Sequence, residues 1–327
     1  MKKTTASEGH GDGTTPSGEV MVHAPSRGMG SPEVASFWDA STGSWQHVVG
    51  DPVGGEAAVV DPVWGFDPVS GAFDTEQMDR MERWVRDRGW RVVWSIDTHP
   101  HADHMSAAAL WAERWGAKQV IGARVGAIQT IWAGIYGDDA LLGMEASGAP
   151  WWDRLVEPGD RLALGGMEMV ALPGWGHTLG SITWRVGDAV FAHDTLMMPD
   201  SGTARADFPG GSSSDLWDSV RAILDGHPGS TRVFVGHDYA PNGRGPLCMA
   251  SVGEHRARNV HARDVVAREA FLALRDARDA SLPLPRLMLL ALQVNLRGGR
   301  LPDADAEGRV SLRLPVGRFP NLLAQRA

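Results

Sequence analysis

The apolar residues of this chain fall into short runs typical of buried strands and into longer segments with the spacing of a helix face. Two early strands joined by a Gly-rich turn are predicted within residues 36–64, and they end at Asp61. A helix is predicted over residues 75–88, with Asp74 as its N-cap and Gln77 as the capping-box partner. The apolar face of this helix comprises Met78, Met81, Trp84 and Val85.

The same two patterns continue to the C-terminus. Further helices are predicted over residues 106–115, 124–135, 214–225 and 252–279, and a strongly apolar segment follows at 287–296. Strands are predicted over residues 91–96, 119–122, 161–164, 167–172, 181–186, 189–192 and 232–235. Strands alternate with helices in the first half, and short strands follow one another in the second. This β-α rhythm indicates an α/β protein.

Composition narrows the possible partners and compartments. The 327 residues carry a net charge of -9 and contain no basic run, which argues against a nucleic-acid partner and a polybasic membrane anchor. No apolar run reaches membrane-spanning length, so we expect no membrane partner and a cytoplasmic protein.

Residues 1–32 are rich in Gly, Ser, Thr and Pro and predict a disordered tail. Residues 33–327 are expected to form a single domain with a helical C-terminal extension.

Polar residues with the chemistry of metal ligands follow the predicted strand at 91–96. His99 and His101 are two residues apart on extended chain, so their rings are expected to point the same way. Asp103 and His104 fall in the turn into the next helix and can face a second point. Imidazole and carboxylate are ligands of Zn, Fe and Mn, and the chain has one cysteine, Cys248, which excludes a thiolate cluster.

Three further candidates stand after other predicted strands. His177, Asp194 and His237 each follow an apolar run, as expected if the carboxyl ends of the strands share one edge. The spacing predicts two half-sites with Asp194 between them. The first comprises His99, His101 and His177, and the second comprises Asp103, His104 and His237. The histidines without ligand-like spacing are expected on the surface or at helix caps, and these are His47, His227, His255 and His261.

Four motifs together give the chain a family resemblance. They are residues 98–104 (THPHADH), 176–178 (GHT), Asp194 and 236–239 (GHDY). This set resembles the signature of the metallo-β-lactamase superfamily, which implies an αβ/βα four-layer sandwich with the metal site at the shared edge of two sheets. The stretches 194–211 and 237–244, and the C-terminal segments RNVHARD and LQVNLRGGRLP, are similar to the persulfide dioxygenase group of that superfamily, including its bacterial β-lactamase-hydrolase-like members.

The narrower resemblance implies an enzyme with one Fe(II) per chain that oxidises glutathione persulfide with O2 to sulfite and glutathione. By the same resemblance the iron ligands are His99, His177 and Asp194, a set that leaves positions open for substrate and O2. Arg205 matches an arginine that binds a carboxylate of glutathione, and Tyr239 matches a tyrosine near the substrate. The residues assigned to catalysis are Asp103, Asp194 and Tyr239. A homodimer is expected by analogy.

The alternative is a hydrolase. With all seven candidate ligands present, two Zn(II) ions could activate a hydroxide for attack on a thioester or lactone, as in glyoxalase II.

The chain departs from the persulfide dioxygenase pattern at His193, where relatives usually carry Gly, and at Trp175, where they usually carry Pro. We interpret His193 as a packing residue or a support of the ligands, with a role as an extra ligand as the other possibility.

Overall fold

The computed structural model describes residues 13–14, 20–142 and 151–317. The strands of the first half are β1 (Gly13–Thr14), β2 (Val20–Ala24), β3 (Glu33–Asp39), β4 (Ser44–Gly50), β5 (Glu56–Val60), β6 (Val63–Asp67), β7 (Ala72–Asp74), β8 (Arg91–Ile96), β9 (Met105–Ser106), β10 (Lys118–Gly122) and β11 (Arg154–Val156). Those of the second half are β12 (Arg161–Leu164), β13 (Met167–Pro173), β14 (Ile182–Val186), β15 (Ala189–His193), β16 (Arg232–Val235) and β17 (Met249–Ser251).

Seven α-helices lie within the described residues. They are α1 (Glu76–Asp87), α2 (Ala108–Trp115), α3 (Val125–Tyr136), α4 (Ser213–Gly226), α5 (Val252–Arg258), α6 (Arg268–Asp279) and α7 (Met288–Asn295). The helix predicted over 252–279 is two helices, because residues 259–267 form turns and irregular chain between them. Thr75 is the N-cap residue of α1, although the predicted cap, Asp74, accepts a hydrogen bond from the N–H of Glu76 over 3.1 Å. The capping-box prediction is wrong, since Gln77 accepts hydrogen bonds from Gln46 and Arg80.

Two large sheets form the centre of the fold. One has the strand order β1-β2-β3-β4-β5-β8-β10-β11, and the other has the order β12-β13-β14-β15-β16-β17. Strands β5, β8, β10 and β11 are parallel to one another, as are β15 and β16. The loops that follow these parallel strands therefore emerge together at the carboxyl edge of each sheet.

Apolar side chains fill the space between the sheets and cover their outer faces. The inner core joins residues of both sheets, such as Ile96 and Phe191. A second cluster packs α1 and α2 on the outside of the first sheet, through residues such as Met81 and Trp111. A third packs α4 and α6 on the outside of the second sheet. These layers confirm the predicted αβ/βα four-layer sandwich.

The main chain joins the two sheets at the edge where the ligand loops lie. Ser44 of β4 forms a bridge pair with His237, which follows β16. The N–H of Trp45 donates to the carbonyl oxygen of Gly236 over 2.7 Å, and the N–H of Asp238 donates to Gly43 over 3.0 Å. The candidate ligands of the two sheets are therefore held in a fixed mutual position.

The predicted disordered tail is corrected in its second part. Strand β2 pairs antiparallel with β3, and Ser31 is buried with its hydroxyl 2.7 Å from Asp188. Pairing with a distant strand supplies hydrogen bonds that the local composition does not reveal. The other predicted tail residues, 1–12 and 15–19, lie outside the described residues. In the described part of the chain, the helices are too short or too polar to span a membrane.

Three histidines expected on the surface are buried. His47 bridges the sheets, with Nδ1 2.8 Å from the Ser36 hydroxyl and Nε2 3.2 Å from the carbonyl oxygen of Val235. His255 and His261 are buried under the second sheet's helices, at 0% and 5% exposure. Packing of distant segments decides this burial, so the local sequence pattern gave no signal of it. His227 is at the C-cap of α4, as predicted.

Candidate metal centre

The loop after β8 carries four of the candidate ligands and is held by the neighbouring strand. Asp61 follows β5, which is parallel to β8, so the two strand ends lie side by side. The carboxylate of Asp61 accepts hydrogen bonds from the N–H of Thr98 over 2.7 Å and from its hydroxyl over 2.9 Å. The backbone at Asp61 has a φ of 52°, a left-handed conformation that turns its side chain into the loop. This contact fixes the chain directly before His99.

The seven candidate ligands contribute to two groups, and His101 also forms a third group with Asp61 and Asp97. In the first, one ligand atom each of His99, His177 and Asp194 lies within 4.8 Å of the other two. In the second, atoms of His101, Asp103 and His104 satisfy the same limit. The first group consists of the three residues that the resemblance implies as iron ligands. The spacing predicted His101 with His99 and His177; the structure places a ligand atom of His101 with those of Asp103 and His104, while its ring centroid also lies 4.2 Å from that of His99.

Asp194 and His237 connect the two groups. Oδ2 of Asp194 is 3.3 Å from Nε2 of His177 and 3.8 Å from Nε2 of His99. Its other oxygen, Oδ1, is 3.5 Å from Nε2 of His237, and that nitrogen is 3.3 Å from Oδ2 of Asp103. Asp194 therefore lies between the groups, as the sequence predicted, and His237 completes the second group.

Burial keeps several of the imidazoles neutral. Burial and the neighbouring imidazoles hold the pKa of His99 well below its usual value, and burial is also the main cause that lowers the pKa of His177. The pKa of His104 is lowered to about 4, again chiefly by burial. A neutral imidazole has a free lone pair, which is the form that binds a metal.

His101 is oriented by a carboxylate. Burial lowers its pKa, but Asp61, whose Oδ1 is 3.0 Å from Nε2 of His101, outweighs burial and raises the pKa to about 9. Because Nε2 donates to Asp61, Nδ1 is the atom left to face the other ligands. A carboxylate on the far nitrogen is a common way of fixing the ring of a metal-bound histidine.

The donor set fits a divalent metal. Three buried ligand atoms lack a hydrogen-bond partner in the described part of the chain, namely Nε2 of His99, Nδ1 of His101 and Oδ1 of Asp194. Buried polar atoms in folded proteins are usually paired, so three ligand atoms without a partner in one place fit a site for a metal ion. Nitrogen and carboxylate oxygen donors without sulfur suit Zn, Fe or Mn.

A cleft of about 900 Å³ opens over the centre. Asp103, His177 and His237 lie at its base, and Arg278 and Arg286 lie on its wall. Its apolar lining includes Trp64, Phe66, Met197, Leu282, Leu284 and Leu287. Both arginines are exposed, and the charge of Arg286 acts on the carboxylate of Asp67, which lines the same cleft. The cleft therefore combines a polar base, apolar walls and two exposed cationic groups.

The guanidinium of Arg205 is engaged within the protein. It binds both oxygens of Asp207, over 2.6 and 2.7 Å, and the carbonyl oxygen of Pro283 over 2.6 Å. The carbonyl oxygen of Arg205 accepts a hydrogen bond from Nδ1 of His177 over 2.7 Å. Binding of a substrate carboxylate by Arg205 stays a prediction, and that carboxylate would compete with Asp207.

Tyr239 lies at the rim of the cleft. Its ring stacks on His237, with centroids 5.8 Å apart and planes inclined by 13°, and it is 63% exposed. An exposed phenol next to a candidate ligand is accessible to a bound substrate, in agreement with the role that the resemblance implies.

The two departures from the family pattern have different surroundings. His193 is buried beside His99, with ring centroids 5.4 Å apart, and its Nε2 is 3.0 Å from the hydroxyl of Thr195. It is in none of the ligand groups among the described residues, so the geometry favours the packing interpretation. Its φ of 40° explains why glycine suits this position. Trp175 stacks with Arg124, whose guanidinium carbon is 3.5 Å from the ring centroid.

Two residues that support the loop were not predicted from the sequence. Asp61 is a polar residue directly after an apolar strand, the same signal that identified Asp194 and His237. Asn295 is a polar residue inside the strongly apolar run at 287–296, and its side chain reaches the carbonyl oxygen of His101. A buried amide within an apolar helix is the signal that could have identified it.

Comparison with known families accounts for this arrangement. The model of the metallo-beta-lactamase superfamily matches residues 43–237, which include all seven candidate ligands. This chain belongs to the metallo-β-lactamase superfamily. Membership and the two clusters of ligand atoms together imply a metal cofactor.

Curated relatives of this superfamily member carry different activities in their names. The chain is 48% identical over 285 residues to a beta-lactamase hydrolase-like protein of Agrobacterium fabrum, covering 87% of this chain and 65% of that protein. It is 31% identical to glyoxylase B2 of Dictyostelium discoideum, covering 87% of this chain and 97% of the relative. It is 26% identical to the mitochondrial persulfide dioxygenase ETHE1 of Bos taurus, covering 83% and 91%. The chain thus spans slightly less than two thirds of the Agrobacterium relative.

A solved structure shows the same architecture. The crystal structure of ETHE1 from Myxococcus xanthus superposes on this metallo-β-lactamase fold with a TM-score of 0.63 and 28% sequence identity. The match covers 81% of this chain and 98% of that one. The likeness therefore extends beyond residues 43–237 of the family match.

Proposed function

We propose that this metal-dependent enzyme is a persulfide dioxygenase that binds one Fe(II) per chain and acts on glutathione persulfide. The proposal rests on the composition of the first group of ligand atoms, in which His99, His177 and Asp194 supply two imidazoles and one carboxylate. This is the ligand set of non-haem Fe(II) oxygenases, which leaves positions open for substrate and O2. Likeness to ETHE1 in sequence and structure supports the same activity.

The reaction balances without a further reductant. A glutathione persulfide anion, O2 and one water give glutathione, sulfite and one proton. The terminal sulfur loses four electrons, which O2 accepts, and the sulfur–sulfur bond is broken. Bound Fe(II) would supply the activation of O2 for this oxidation.

The residues of the chain position the reactants. The carbonyl oxygen of Arg205 holds the Nδ1 hydrogen of His177, which directs Nε2 of that ring toward Asp194. Tyr239 stands where the sulfur end of the substrate would enter, next to His237.

The two exposed guanidiniums favour an anionic substrate. Arg278 and Arg286 line the same cleft as the candidate ligands Asp103, His177 and His237. Glutathione carries two carboxylates, and an arginine fork binds a carboxylate through two hydrogen bonds. In this proposal Arg205 binds one carboxylate, Arg278 or Arg286 binds the other, and the sulfur lies at the centre.

The second candidate is a dinuclear zinc hydrolase of thioesters or lactones. The observation that favours it is the second group, since His101, Asp103 and His104 lie beside the first and are linked to it by His237. Two metal ions, if held by these neighbouring groups, would supply a shared and activated hydroxide. The names of the Agrobacterium and Dictyostelium relatives also agree with a hydrolase.

Metal content and O2 uptake distinguish the two functions. The full chain is purified without oxygen, its metals are measured by elemental analysis, and O2 consumption is followed on addition of glutathione persulfide. About one iron per chain with persulfide-dependent uptake and sulfite formation is the expected result. Two zinc ions per chain, no uptake and hydrolysis of a glutathione thioester would assign the chain to the hydrolases.

A further inference from the structure

A side chain from the C-terminal helix α7 reaches into the loop that carries the candidate ligands. Asn295 is the last residue of α7 and lies outside residues 43–237, the range of the family match. It is 1% exposed. Its side chain contacts the segment from His101 to Ser106, about 190 residues earlier in the chain.

The amide of Asn295 uses both of its donor hydrogens on this segment. Nδ2 donates to the carbonyl oxygen of His101 over 2.7 Å and to the carbonyl oxygen of His104 over 2.8 Å. Oδ1 accepts a hydrogen bond from the N–H of Ser106 over 2.8 Å. Three short bonds from one buried side chain fix the backbone on both sides of Asp103.

These bonds determine where two candidate ligands lie. The backbone of residues 101–104 forms turns and lacks the ladder of a regular strand, so it depends on side chains for its hydrogen bonds. The imidazoles of His101 and His104 are attached to the two residues whose carbonyl oxygens Asn295 holds. Their ring centroids lie 4.2 Å apart. A shift of either carbonyl would move the attached ring away from its partners.

We propose that Asn295 is a positioning residue of the metal centre, which α7 thereby helps to build. The amide holds the His101–Ser106 segment in the conformation that binds metal. The proposal rests on the assignment of the metal centre given above, but it does not depend on whether the reaction is oxidation or hydrolysis.

Gln293 offers a matched control on the same helix. It is also 1% exposed, and its Nε2 donates to the carbonyl oxygens of Leu289 and Arg313 over 2.6 and 2.8 Å. Its Oε1 accepts from the N–H of Arg313 over 2.8 Å. Gln293 therefore makes the same number and types of bonds as Asn295, with none of them to the ligand loop.

The test measures metal binding, separately from activity. The full chain and the variants Asn295→Ala, Asn295→Asp and Gln293→Ala are stripped of metal with a chelator and titrated with Co(II). Binding is followed by the visible absorption of Co(II), and thermal unfolding of the metal-free proteins is recorded in parallel. The aspartate variant keeps the acceptor for Ser106 and replaces the donors with a group that repels the two carbonyl oxygens.

We expect both Asn295 variants to bind Co(II) about 10 to 100 times more weakly, with an altered absorption spectrum. The Gln293 variant is expected to lose thermal stability and to keep the affinity and spectrum of the wild type. Unchanged Co(II) affinity in the Asn295 variants, or an equal loss in Gln293→Ala, would overturn the proposal. It would also be overturned if both Asn295 variants failed to fold while Gln293→Ala folded, since Asn295 would then serve folding alone. A wild type that binds no Co(II) would instead refute the metal centre itself.

Discussion

His177 donates its Nδ1 hydrogen to the main-chain carbonyl oxygen of Arg205 over 2.7 Å. The hydrogen bond determines the tautomer, so Nε2 of His177 carries the lone pair that faces Asp194. It also separates two roles of Arg205, because the carbonyl supports the candidate ligand while the guanidinium extends along the cleft. The two roles predict different effects of substitution.

Arg205→Ala keeps the carbonyl oxygen and removes the guanidinium. We expect metal content to stay near that of the wild type and the KM for glutathione persulfide to rise about tenfold, as for the loss of one charge-assisted contact. Steady-state O2 uptake and elemental analysis measure the two quantities. Asp207→Ala is the matched control, since it frees the guanidinium and should leave KM equal or lower. An unchanged KM in Arg205→Ala would remove this residue from substrate binding.

His177→Ala is expected to lose metal and activity together. The substitution removes one of three ligand atoms of the first group, and the remaining carboxylate and imidazole bind a divalent ion weakly. Elemental analysis after gel filtration should give less than about a tenth of the wild-type metal content. His227→Ala, at the C-cap of α4, serves as the control and should retain both. Full activity of His177→Ala would exclude His177 from the ligand set.

Asp279→Ala tests how α6 supports the segment around Arg205. Asp279 forms a buried ion pair with Arg275 and accepts a hydrogen bond from the N–H of Ala206 over 2.8 Å. Loss of the carboxylate leaves the Arg275 charge buried and unpaired, so we expect the free energy of unfolding to fall by about 3–5 kcal/mol. Urea unfolding measures this change.

The matching exposed pair provides the control for that experiment. Arg221 and Asp225 have the same i,i+4 spacing on α4, but the Asp225 side chain is 54% exposed. Asp225→Ala should therefore change the free energy of unfolding by less than about 1 kcal/mol. Equal losses in the two variants would show that the buried position of Asp279 carries no additional stabilisation.

His255 makes the stability of the fold depend on pH. Burial lowers its pKa from the usual 6.5 to about 4, so the unfolded chain binds a proton at pH values where the folded chain does not. The contribution of His255 is complete above pH 6.5 and is lost as the pH falls toward 4. Between pH 7 and pH 5 we expect this group alone to cost about 2 kcal/mol of unfolding free energy.

Urea unfolding of the wild type and His255→Gln at both pH values measures that contribution. The wild type should lose more stability than the variant on acidification, by about the same 2 kcal/mol. His47 and His261 also have pKa values lowered to about 4, so the variant keeps part of the pH dependence. Identical losses in the two proteins would contradict the assignment to His255.

The sequence was most informative where local pattern and strand ends coincide. Strand β16 was predicted at its observed limits, and the polar residue after it, His237, lies at the centre. Apolar runs predict strands because burial on both faces removes alternation, and polar residues at their carboxyl ends share an edge. The seven candidate ligands were found in this way.

The parts that could not be predicted depend on contacts between distant segments. The amide of Asn295 meets the loop only because α7 packs against β9, and nothing near residue 295 identifies that partner. The contact of Arg205 with the carbonyl oxygen of Pro283 likewise follows from how α6 and α7 are connected. Local sequence patterns determine the helices and strands, whereas the packing of those helices and strands determines which polar groups come into contact.

Because Ser44 and His237 pair through their main chains, the metal centre forms only where the two sheets pack against each other. His99 to His104 come from the first sheet, and His177, Asp194 and His237 come from the second. Closing a loop of more than a hundred residues is slow and has a high entropic cost, so the two halves meet late in folding. Before the sheets join, only the four candidate ligands in the loop after β8 would therefore be available to bind a metal ion. Strong metal capture would begin when the sheets join, and the ion would then stabilise the docked state over the open one.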